Sequence, residues 1–129
     1  MLTAARILFG IFFLGSAILK LFASNYELDM MRAAGFTDPL PLYIMSAVAQ
    51  AIAGTALLVG IYVREACFGL IAYVAVINFF MHAFWNFSGE AASIQFQLFT
   101  KNAGIMTGLL AIAGAYPASL SSIKRTHHA

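Results

Sequence analysis

Four long apolar runs dominate this chain and limit what it can fold into. They span Thr3–Ala23, Pro41–Val63, Ala66–Phe87 and Phe96–Tyr116. About 20 apolar residues suffice for a helix to cross a bilayer, so each run is long enough to do so. The joining segments are short, which makes successive helices antiparallel neighbours. The expected fold is therefore all-α, an integral-membrane, up-down-up-down four-helix bundle forming a single domain over residues 1–129. Composition agrees. Hydrophobic residues make up 62% of the chain and charged residues 9%, against about 25% charged in a soluble domain.

The same composition narrows function. Seven basic and five acidic side chains give a net charge of +2, with no Lys/Arg patch of the kind that holds a phosphate backbone, so no nucleic-acid partner is expected. Cys67 is the only cysteine and reads as a small buried hydrophobe. The first run is too long for a signal-peptide core, no A-x-A-like site follows it, and it reads as a retained helix.

Between the first two runs, residues 25–40 carry Glu27, Asp29, Arg32 and Asp38. The stretch from Tyr26 to Ala34 suits a short interfacial helix, and Pro39 and Pro41 mark the start of the second span. A tight turn is expected at Arg64-Glu65. Four spans put both termini on one side. That side holds Arg6, Arg64, Lys124 and Arg125, while most acids lie on the other. The positive-inside rule then puts both termini in the cytoplasm and the chain in the cell (inner) membrane.

Six polar residues interrupt the runs: Lys20, Gln50, Asn78, His82, Lys101 and Asn102. At membrane depth such groups are costly unless paired, solvated or functional. Antiparallel topology brings all six toward one membrane face. From helix rise, Lys20, His82 and Lys101 lie roughly 5–8 Å inside the apolar boundary, and Gln50 and Asn78 roughly 14 Å. Asn78 and His82 are expected on one helical face with Trp85 and Asn86 nearby. Lys101 shares a stripe with Gly104 and Gly108, which reads as a tightly packed face. Convergence of these faces would form a polar pocket with an aromatic wall.

Each residue also has a packing alternative. Lys20 and Lys101 can snorkel to the interface, Gln50 and Asn78 can be interhelical hydrogen-bond glue, His82 can bond a facing amide, and Trp85 can anchor the interface. No Asp or Glu lies inside a run, and one histidine at depth excludes a bis-His haem within the chain. No metal or haem is expected. One imidazole, two ammonium groups and several amides suit a carbonyl-bearing or anionic small molecule. A quinone head group fits, with His82 able to pass a proton; a small anion also fits.

The segments Arg6-Ile-Leu-Phe-Gly, Gly15-Ser-Ala-Ile-Leu-Lys20, His82-Ala-Phe-Trp85 and Phe99-Thr-Lys101-Asn102 together resemble the DoxX family of small four-helix membrane proteins. The family takes its name from a subunit associated with archaeal quinol oxidase and thiosulfate:quinone oxidoreductase, and other members are linked to oxidative-stress complexes. The resemblance implies a site at Lys20, His82, Trp85, Lys101 and Asn102. It sets Gln50 where many members carry an acid, which implies loss of a proton acceptor. Three functions follow as expectations. The first is a membrane subunit of a quinone-linked oxidoreductase or redox-protective complex, with His82 catalytic and Lys20, Gln50, Asn78, Trp85, Lys101 and Asn102 binding ligand. The second is a non-catalytic scaffold for other protein subunits. The third is small-solute transport, which no broken helix or inverted repeat supports. Membrane lipid is a partner in all three. Oligomeric state is not fixed by the sequence.

Overall fold

A computed structural model describes residues 1–119. The basic tail, with Lys124 and Arg125, lies outside the described residues. The chain forms α1 (Leu2–Lys20), α2 (Ser24–Ala33), α3 (Leu40–Val59), α4 (Val63–Met81), a 3-10 turn (Phe84–Asn86) and α5 (Gly89–Ala115). Four of these, α1, α3, α4 and α5, are long and apolar enough to cross a membrane. Helix α2 is the short polar helix expected after the first span, with Glu27 in its first turn and Arg32 in its last, each suited to the helix dipole.

Sequential spans pack as antiparallel neighbours: α1 on α3, α3 on α4, and α4 on α5. Phe13, Leu57, Cys67, Leu70, Val74, Leu109 and Ile112 form the buried core. Large apolar side chains such as Leu8, Phe12, Ile52, Phe79 and Leu110 point outward. On a soluble protein this would be an aggregation hazard; in a bilayer it is the lipid-facing surface.

The closest helix approach is between α1 and α3. A Cβ built on Gly54 would stand 2.8 Å from the Leu14 backbone nitrogen, and one on Gly10 would stand 3.0 Å from the Gly54 carbonyl. The expected small-residue face on α5 divides instead. Gly108 is covered by the Phe9 ring, whose atoms would meet a Cβ at 2.8 Å, whereas nothing lies within 4 Å of the same position on Gly104.

Helix α1 ends at Lys20 and α4 begins at Val63, each three residues before the expected bound, and three further helix ends differ. Helix α3 stops at Val59 because Gly60 turns left-handed, with φ of +86°. Arg6 secures that end by donating from its guanidinium to the Leu57 carbonyl at 2.8 Å. The turn therefore precedes Arg64 and Glu65, which sit in the first turns of α4. Helix α4 stops at Met81, short of Phe87, because the following segment folds back to stack its rings on α5. Helix α5 begins at Gly89, not Phe96, since Glu90-Ala-Ala-Ser is good helix-starting sequence. Its 27 residues extend roughly 40 Å, beyond the ~30 Å of a hydrocarbon core.

Candidate functional site

The polar residues of the spans do collect toward one end of the bundle, but in separate contacts. On α1, Lys20 is buried at 8% exposure. Its ammonium pairs with the Glu27 carboxylate of α2 and lies 4.7 Å above the Tyr43 ring of α3. The Tyr43 hydroxyl donates to the Lys20 carbonyl at 2.8 Å, holding the end of α1 to the start of α3. Lys20 is thus a partnered cation that joins three helices, not a snorkelling one.

A second contact joins α4 to α5. Asn102 Nδ2 donates to Asn78 Oδ1 at 2.9 Å, and Asn78 Nδ2 donates to the Phe99 carbonyl at 3.0 Å. Because α4 ends at Met81, Asn78 lies in its last turn, roughly 5 Å from the helix end. His82 has left the helix, with φ of −116° and ψ of 36°, so it does not continue the helical face of Asn78.

His82 is half-buried, and its Nδ1 lies 2.8 Å from Gln95 Oε1. With the Gln95 amide in this orientation its oxygen accepts, so a neutral His82 carries its proton on Nδ1 and leaves the Nε2 lone pair as an acceptor. Aromatic rings surround this end of the bundle. Trp85 stacks edgewise on Phe84 at 5.2 Å, with Phe79 at 6.0 Å and Phe99 at 6.1 Å. Trp85 itself is 52% exposed. Such pairs add stability beyond area burial, and the exposed indole gives the cluster an accessible face.

Gln50 is 4% exposed. It shares the inner stripe of α3 with Tyr43, Gly54 and Leu57. Its Oε1 is buried and finds no donor among the described residues. Lys101 is exposed and stands apart. It projects from α5 roughly 120° around the axis from Gln95, the partner of His82. The structure therefore does not bring Lys101 together with His82 or Lys20.

Residues 1–83 match the family model for DoxX. The chain belongs to the DoxX family. No curated protein and no solved structure matches it. In this DoxX protein the matched stretch covers α1, α2, α3 and α4 and ends just past His82. It contains Lys20, Gln50, Asn78 and His82, while Trp85, Lys101 and Asn102 lie beyond it. Two partners were not identified from the sequence. An apolar run that begins at Phe96 leaves Gln95 in the connecting segment, and Glu27 reads from sequence as an interfacial charge. The signal for Glu27 was its spacing: seven residues after Lys20, across one short connection, it is the nearest acid in the chain.

Proposed function

We propose that this DoxX protein is the membrane subunit of a quinone-linked redox complex, and that it meets the quinone head group through His82. The observation that carries this reading is the His82–Gln95 bond, in which a neutral His82 donates from Nδ1 and keeps the Nε2 lone pair as an acceptor, two residues before the Phe84–Trp85 ring pair. Trp85 and Phe84 offer ring faces to a planar head group. His82 accepts the hydrogen bond of one quinol hydroxyl at Nε2 and takes that proton, the other hydroxyl releases its proton to water at the membrane face, and the two electrons pass to a redox centre carried by a partner subunit. Asn78, Asn102 and Lys20 hold the helices that position this end. Gln50, with its free carbonyl oxygen, contributes a further acceptor deeper in the bundle.

The membrane in this reading is the cell membrane, with both termini cytoplasmic. Arg6 and Arg64 at the terminus end, against Glu27, Asp29, Asp38 and Glu90 at the other, support that orientation. It directs His82 toward the outer face.

The test is quinol oxidation by membranes from cells carrying the wild-type chain or His82→Ala at equal protein level. Loss of most of the quinol-dependent activity in the variant is expected. Unchanged activity would make the chain a non-catalytic assembly partner, the second of the expected functions.

A further inference from the structure

Helices α1 and α5 meet where Phe9 covers Gly108. An open apolar groove of about 380 Å³ runs along this level, lined by Ala5, Leu8, Phe9, Phe12 and Ile105. Its Ile105 edge is on the side of Lys101. Lys101 lies seven residues before Gly108, hence two turns along α5 and on nearly the same side of the helix. It is also one turn from Ile105, roughly 6 Å along the axis. On α1 the stripe of Ala5, Phe9 and Phe12 continues to Ser16, which antiparallel register sets at the level of Lys101.

Lys101 is an exposed cation in a membrane span, and among the described residues it has no ion pair. The acid nearest along its own helix, Glu90, lies three turns outward. The Cα–Cβ bond of a helical residue tilts toward the helix N-terminus, which for α5 is the His82 end, so the ammonium rises toward the head-group layer. Gln97, also exposed, lies one turn further in that direction on the same side. An ammonium and an amide donor above an apolar groove complement an anionic head above an apolar chain.

The groove follows about two turns of α1, from Ala5 to Phe12, and is open on its outer side. An extended acyl chain is slender enough to lie along it.

The geometry points to a binding site for an anionic phospholipid in the α1–α5 seam, one acyl chain along Phe9, Phe12 and Ile105 and the phosphate on Lys101 and Gln97. The site is independent of His82, which faces another side of α5. Bound there, the lipid covers the groove and supplies the counter-charge that Lys101 does not find among the described residues.

The test uses the purified protein in detergent with an equimolar mixture of phosphatidylglycerol and phosphatidylcholine, read by native mass spectrometry and by thermal unfolding. Wild type is expected to retain phosphatidylglycerol several-fold over phosphatidylcholine and to unfold at higher temperature with it. Lys101→Met, which keeps the stem and removes the charge, should retain both lipids equally and lose the thermal gain. Ile105→Trp, which fills the groove, should retain less of either. Equal retention by wild type would overturn the proposal, as would a preference that survives in Lys101→Met. Displacement of phosphatidylglycerol by a short-chain quinone would also overturn it, by giving the seam to a different ligand.

Discussion

Asn102 Nδ2 donates to Asn78 Oδ1 across 2.9 Å, and Asn78 donates onward to the Phe99 carbonyl. Asn78 is 5% exposed, so water cannot replace these partners in a variant. Asn78→Ala should destabilise the protein by about 1–3 kcal/mol, the cost of leaving a buried amide without its partner, or nearer 1 kcal/mol if lipid-phase values apply. The double variant Asn78→Leu/Asn102→Leu, which removes both amides, should recover part of that loss. Unfolding in mixed micelles measures both.

Glycines at similar spacing should behave in opposite ways. Gly54→Ala drives a methyl group onto the Leu14 backbone, and overpacking of this kind costs about 1–3 kcal/mol. Gly104→Ala meets nothing within 4 Å and should stabilise α5 slightly, by up to about 1 kcal/mol, through helix propensity. Thermal unfolding of the two variants side by side separates a packed from an open position.

The Lys20–Glu27 pair predicts a rescue. Glu27→Gln leaves a buried ammonium without its counter-charge. The loss should be about 1–3 kcal/mol, less than for a fully buried pair because the Glu27 side chain is 43% exposed. Adding Lys20→Met removes the stranded charge and should restore most of the stability. A double variant less stable than Glu27→Gln would mean that the stacking of Lys20 on Tyr43 outweighs its pairing.

The four spans were legible in the sequence because lipid demands ~20 apolar residues per crossing, and such runs cannot be mistaken for soluble elements. Helix ends were not, since they depend on tertiary events. The left-handed Gly60 beneath Arg6 ends α3, and the fold-back of Phe84 and Trp85 onto Phe99 ends α4. At the site, antiparallel order alone put Asn78 and Asn102 toward the same membrane face, and the structure joins them. The glycine stripe of Lys101 reads as a packed face, yet of Gly104 and Gly108 only Gly108 is covered. Which side of α5 faces a neighbour depends on where α1 ends its contact with it, and a helix as evenly apolar as α5 carries little trace of that in its sequence.

The most direct test of the quinone reading is the affinity of a short-chain quinol for the purified protein, titrated against wild type, His82→Gln and Gln95→Leu. Affinity should be at least ten-fold weaker for His82→Gln, which lacks the Nε2 acceptor. Gln95→Leu should show a smaller loss, because the imidazole is kept but its proton is no longer held on Nδ1. Equal affinity in all three proteins, or binding in none, would contradict it and leave the His82–Gln95 bond as a helix-end contact only.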